Sequence, residues 1–274
     1  MSEQHNSPES SSVTFSEPQL LTPPQEALYR EVLQVVEGRG IPYAVSGAFA
    51  LREYTGISRM TKDLDLFLTA EDSSRALDYL RKQGFQCEVC DPVWLAKAHR
   101  EGYFVDLITG MSNAVLVVEP SWIERARPAT IVGIKTRVLA PEELLASKLF
   151  VTRRERFDGA DIAHVIYGTR GQIQWERVLA LVGEHWEMLL WALLFFRYAY
   201  PAQTNYVPAA LWQDLLGRLS SDLAKDQPHA AFRGSLVDDN MFAIDLKEWG
   251  LENILEDYRT RRMARIKKPR KQRA

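Results

Sequence analysis

Apolar positions along the chain change period near the middle. Thr22-Pro23-Pro24 opens a helical stretch in which Leu28, Val32, Val35 and Val36 share one face, and Gly38 and Gly40 end it. Ile41–Val45 is short and β-prone, and Ala48–Tyr54 returns to helical spacing before Gly56. Lys62–Thr69 alternates strictly: Asp63, Asp65 and Phe67 on one side, Leu64, Leu66 and Leu68 on the other. A helix is predicted over 71–83. Strands are predicted over 85–89, 103–108, 114–118 and 131–139. From Pro141 onward the spacing is helical throughout, with Lys148 on the stripe of Leu144, Leu145, Leu149 and Thr152. Helices are read at 161–166, 175–182 and 185–198. The last is apolar nearly all round and is expected to be a core helix.

Strands first and helices second predict an α+β fold: a mixed β-sheet core flanked by helices, followed by a helical C-terminal region. The expected division is a disordered tail at 1–22, a core at 23–140, the helical region at 141–258 and a basic, disordered tail at 259–274.

The most informative feature is Asp63-Leu64-Asp65. Residues i and i+2 of a strand point the same way, so two carboxylates are held close and repel unless a cation lies between them. Oxygen-only ligands of this kind suit Mg²⁺. Asp106 interrupts the apolar run Phe104–Ile108 and is the candidate third ligand. The competing reading is a wet face of an antiparallel sheet, where alternating aspartates mean nothing. What raises the functional reading is Ser46-Gly47-Ala48, small residues between a strand and a helix where backbone N–H groups can meet a phosphate. A phosphate cradle plus a metal-binding carboxylate pair and a third carboxylate is the minimal equipment for phosphoryl or nucleotidyl transfer.

The run from Val45 to Phe67 resembles the signature of the DNA polymerase β-type nucleotidyltransferase superfamily, and more narrowly its AbiEii-like, type IV toxin-like branch. The pattern is a small pair, a helix, then Arg-x-Ser/Thr-x-Asp-x-Asp. The resemblance spans about residues 26–170. It implies Mg²⁺-dependent transfer of NMP from an NTP, ATP among them, to a hydroxyl acceptor with release of pyrophosphate. Carried over, Asp63 and Asp65 bind two ions, and Asp106 binds one and helps deprotonate the acceptor. Ser46 and Gly47 bind phosphate, bordered by Arg59 and Thr61. Lys148 supplies charge for the triphosphate, with Arg153, Asp158 and Asp161 as accessory groups. Ala48 departs from the usual second Gly or Ser. The branch also implies a bacterial toxin with a cognate antitoxin. Two later segments, 186–201 and 232–250, resemble C-terminal parts of uncharacterised bacterial nucleotidyltransferase-like proteins.

Composition narrows the alternatives. Among 274 residues, 46% are hydrophobic and 26% charged, as in an ordinary globular chain. No leader is read at the N-terminus, and the longest unbroken apolar run, Met188–Phe196, is far below the ~20 residues of a membrane span, so a cytoplasmic location and no membrane partner are expected. The net charge of −2 hides an asymmetry: Lys and Arg crowd residues 259–274, where Asp and Glu are absent. That tail suits an RNA backbone, or is simply solvated. RNA, a protein and a small hydroxylated molecule all stand as acceptors. A catalytically weak nucleotide- or partner-binding module is the alternative function. Cys87 and Cys90 have C-x-x-C spacing without a second ligand pair and read as buried or half-buried thiols on a strand. His164 and His185 read as structural, and Trp175, Trp186, Trp191 and Trp212 as core anchors.

Overall fold

The computed structural model describes residues 21–267; the first twenty residues and the last seven, on which most of the tail expectations fall, lie outside the described residues. Thr22 caps helix α1 (Pro23–Gly38) in a reciprocal arrangement with Gln25. A two-residue strand β1 (Ala44–Val45) leads into α2 (Gly47–Thr55), which Gly56 ends in the left-handed conformation. Then come β2 (Asp63–Phe67), α3 (Ala70–Lys82), β3 (Gln86–Asp91), β4 (Leu95–Arg100), β5 (Tyr103–Ile108), the short α4 (Pro120–Glu124) and the hairpin β6 (Arg127–Ile131) and β7 (Ile134–Val138).

These strands form one mixed sheet in the order β3-β4-β5-β2-β1-β7-β6. Its central pair, β2 and β5, is parallel and in register, with Asp65 opposite Asp106. On one side of this pair, β4 runs antiparallel to both β5 and the edge strand β3. Leu64, Leu66, Val105 and Leu107 are fully buried on the side away from the aspartates, while α1 and α3 pack on the sheet and on each other.

The second half continues with α5 (Pro141–Lys148), a tight hairpin β8 (Thr152–Arg153) and β9 (Arg156–Phe157), α6 (Gly159–Gly168), α7 (Trp175–Val182), α8 (Trp186–Ala199), α9 (Ala209–Leu223), the short α10 (Gly234–Asp238) and α11 (Ala243–Lys247), and α12 (Ile254–Lys267). The α+β architecture with a helical C-terminal region is as the sequence pattern predicts.

Four expectations are corrected. Residues 114–118 form turns with one isolated bridge, because the Asn113 side chain caps the Val115 amide and Ala114 adopts φ +60°. The single strand over 131–139 is a hairpin whose bend lies at Val132 and Gly133, both at positive φ. Helix α8 is not buried all round: Trp191, Leu194 and Tyr198 are exposed, and Phe157 packs against Trp191. The basic segment from 259 is helical as far as Lys267, since Arg259 clamps Asp91 and Arg262 is buried against the carbonyls of Val93 and Thr109.

By length and composition alone, the stretch Trp175–Ala199 is long and apolar enough to cross a membrane. Gly183 (φ +53°) interrupts it, and its two arms pack on α5 and α6.

Candidate functional site

Parallel pairing of β2 with β5 converts a sequence pattern into a cluster. Asp63, Asp65 and Asp106 each offer a carboxylate oxygen, and these atoms lie within 4.8 Å of one another. Like charges this close penalise ionisation. Burial first, then the charges of Asp63 and Asp106, push the Asp65 carboxyl up to about 7. Burial also raises Asp106, against the opposing pull of Lys97.

Lys97 was not singled out from the sequence. It sits on β4 directly opposite Asp106 and donates to its Oδ1 at 2.5 Å, with the ammonium 4.2 Å from the Phe104 ring centre. The signal was present in the alternation of Leu95-Ala-Lys-Ala-His99, but two alanines at the buried positions look more like helix than strand.

Gly47 brings the helix α2 start against this cluster. It adopts φ +59°, and a Cβ built there would lie 1.9 Å from Asp65 Oδ2. No side chain fits without moving that carboxylate. Gly47→Ala is therefore expected to cost about 1–3 kcal/mol of stability and to abolish divalent-cation binding. Titration calorimetry with Mn²⁺, read beside a thermal melt, checks both. A variant with wild-type Mn²⁺ affinity would show that the Asp65 position is not fixed by this contact.

Of the other residues predicted around the phosphates, Thr61, Arg59 and Lys148 contact carboxylates, and Ser46 bonds the β2 backbone. The Ser46 amide donates to the Asp65 carbonyl at 2.9 Å, and the residue is buried. The Thr61 hydroxyl lies 3.0 Å from Asp63 Oδ1. Arg59 forks onto Asp161 at 2.9 and 2.8 Å. Lys148 is buried and donates to Asp158 and Asp161, each at 2.7 Å. Despite burial, Arg156 and Lys148 hold Asp158, and Lys148 and Arg59 hold Asp161, below the usual carboxylate range. Arg153 lies apart and donates to the Ser112 hydroxyl.

Arg156 was also missed. It clamps Asp158 from the tip of the β8–β9 hairpin while remaining mostly exposed, and it feels the charges of Asp65 and Asp63. Nothing in its local sequence distinguished it from Arg153 and Arg154. Of the cysteines, Cys87 is half-buried and Cys90 is exposed, and both are free thiols.

A mixed sheet that gathers three carboxylates beside a glycine-opened helix start sets hard oxygen donors next to backbone amides suited to a phosphate. Residues 25–185, more than half of the chain, match the family described as "Nucleotidyl transferase of unknown function (DUF2204)", and the chain belongs to that family. No curated protein sequence matches it. Among solved structures it is similar to the antibiotic-resistance factor ANT(2'')-Ia, at 16% identity over 64% of this chain and 98% of that one, with a TM-score of 0.44. It is similar to the lincosamide antibiotic adenylyltransferase LnuA, solved with lincomycin, at 18% identity over 54% and 98%, TM-score 0.38. An antigenic nucleotidyltransferase-like protein from Paracoccidioides brasiliensis matches at 18% identity over 68% and 95%, TM-score 0.42.

Proposed function

We propose that the chain is a metal-dependent nucleotidyltransferase that moves NMP from an NTP to a hydroxyl acceptor and releases pyrophosphate. The observation that supports this reading is the convergence of Asp63, Asp65 and Asp106 from two in-register strands. An all-carboxylate set of hard oxygen donors, whose mutual repulsion raises Asp65, fits Mg²⁺. Asp63 and Asp65 would hold two ions, with Asp106 on one of them. When bound, such ions stabilise charge on both the attacking and leaving oxygens of an in-line displacement.

The chain's own groups supply the rest. Asp106 accepts the proton of the acceptor hydroxyl, and Lys97, paired with it, stabilises the charge it carries before that transfer. The free amides at the start of α2 meet phosphate where Gly47 leaves room. Arg59 and Arg156, each tethered to a buried aspartate yet largely exposed, are the cations best disposed toward a triphosphate. With Ser46 and Thr61 committed to β2, they take over part of the role the motif gives those residues. The toxin-like branch, and an antitoxin with it, rests on the motif at 45–67 alone. A complete carboxylate set speaks against the inactive binding module.

Proton linkage supplies the test. The folded chain holds Asp65 protonated up to about pH 7, whereas an unfolded aspartate ionises near 3.9. Between those values the folded state binds more protons, so the Asp65 contribution to stability falls as pH rises from about 4 to about 7. A divalent cation replaces that proton. The Mg²⁺- or Mn²⁺-induced rise in melting temperature, with ATP present, is thus expected to grow from pH 5.5 to 7.5, and ³²P from α-labelled ATP to appear on an acceptor only with the cation. A cation response that is flat with pH, together with cation-independent labelling, would overturn the proposal.

A further inference from the structure

Along β4 from Lys97 lies a cavity of about 590 Å³ that the transfer chemistry leaves unassigned. Its floor begins at Leu95, two residues along β4 from Lys97 and on the same face. That is a separation of roughly 7 Å from the Lys97–Asp106 pair. Cys90, on the neighbouring strand β3, stands at the cavity rim. The far wall comes from the C-terminal region: α10 contributes Ser235, Leu236 and Val237, and α12 contributes Leu255 and Arg259. The cavity thus lies between the sheet and the segment that α12 straps back onto it.

Two observations define its chemistry. Ser235 is 2% exposed, lines the cavity, and its hydroxyl has no hydrogen-bond partner among the described residues. A buried hydroxyl is rarely left so without a ligand or water to satisfy it. The charged lining, moreover, balances. Asp91 is paired with Arg259 at 3.0 Å to each carboxylate oxygen, and Arg153 faces the cavity with Asp239. The indole of Trp94, whose N–H is already donated to Asp91, adds a flat apolar surface beside Leu95 and Leu236.

Resting on the transferase reading above, we infer that this cavity is the acceptor subsite and takes a small hydroxylated molecule that is neutral or zwitterionic overall. Its volume suits a ligand of nucleoside to disaccharide size. A polyphosphate backbone needs net positive charge, but the arginine best placed to provide it, Arg259, is spent on Asp91 and on the Ser112 carbonyl at 2.8 Å. A polycation would need several carboxylates free of partners, and Asp91 is not. Turned into the cavity by a side-chain rotation, the Ser235 hydroxyl bonds a polar group of the acceptor, whose reacting hydroxyl points along β4 toward Asp106.

The full chain with Mg²⁺ and ATP is incubated in three arms: a panel of neutral and zwitterionic polyols, nucleosides and amino acids; a polycationic aminoglycoside; and deacylated tRNA. Adducts are read by mass. An NMP adduct is expected in the first arm only. Ser235→Ala is then expected to raise the melting temperature, by removing an unsatisfied hydroxyl, while raising the acceptor KM about tenfold at unchanged ATP KM. Val237→Trp, at a half-exposed position, should obstruct the cavity with the same KM pattern. An adduct confined to tRNA or the aminoglycoside overturns the inference. So does an empty first arm in a protein that binds Mg²⁺–ATP, or an acceptor KM that neither variant moves. A chain that binds no NTP overturns the transferase reading itself.

Discussion

Asp65→Asn is expected to abolish nucleotidyl transfer while leaving the cation-free protein at least as stable as the wild type. The two effects have one cause. Asp65 is hemmed in by Asp63, Asp106 and the backbone of Gly47, and it resists ionisation up to about pH 7. Asparagine keeps the shape and removes the charge. At pH 8 the variant escapes both the burial of a charge and the repulsion from Asp63 and Asp106, so its cation-free melting temperature should equal or exceed that of the wild type. Transfer should fall by at least about a thousandfold, since in the proposed mechanism several kcal/mol of charge stabilisation depend on ions that this carboxylate would help to hold. Steady-state labelling from α-³²P-ATP, with thermal melts with and without Mg²⁺, gives both readouts. A variant that loses activity only because it unfolds, or that keeps a wild-type Mg²⁺ shift, would refute the role assigned to Asp65.

The same residues show what a linear sequence reveals and what it hides. Alternation over 62–69 and 103–108 is a local property, and it placed Asp63 with Asp65 and set Asp106 apart from its apolar neighbours. That the three meet is not local. It depends on β2 lying parallel to β5 with Asp65 opposite Asp106, across an intervening helix and two strands. One of those strands, β4, was unread because Ala96 and Ala98 lack the bulk that marks a strand, and Lys97 was lost with it.

The basic C-terminal segment failed for the opposite reason. Its composition is that of a solvated tail, yet Arg259 finds Asp91 168 positions away, and Arg262 is buried against backbone carbonyls of the sheet's end. Charge density is visible in sequence, whereas the identity of a distant partner is not. Arg59 and Lys148 illustrate the same limit on a finer scale. The motif marked both as phosphate neighbours, and folding adds the buried aspartates that now claim their donors.

Lys148→Met puts that last point to the test. The ammonium is buried between Asp158 and Asp161, and removing one partner of a buried ion cluster typically costs about 3–5 kcal/mol. Here each aspartate keeps an arginine, Arg156 and Arg59 respectively, so a loss of about 3 kcal/mol is expected. In a chain of this size that lowers the melting temperature by roughly 6–12 °C. A second effect separates this variant from simple destabilisation. Lys148 is one of the charges that favour ionised Asp65, so its removal should move the pH midpoint of Mn²⁺ binding upward at fixed ionic strength. The ATP KM should rise by less than about tenfold, because two of the three ammonium donors already serve Asp158 and Asp161, whereas a direct charged hydrogen bond to phosphate, worth about 1.5–3 kcal/mol, would raise it roughly 10–150-fold. Asp158→Asn in the Lys148→Met background should recover part of the lost stability without restoring that midpoint. A stable Lys148→Met protein with an unshifted midpoint would mean that the buried cluster and the carboxylate site are electrostatically independent. A stable variant whose ATP KM rises a hundredfold would place Lys148 on the triphosphate itself.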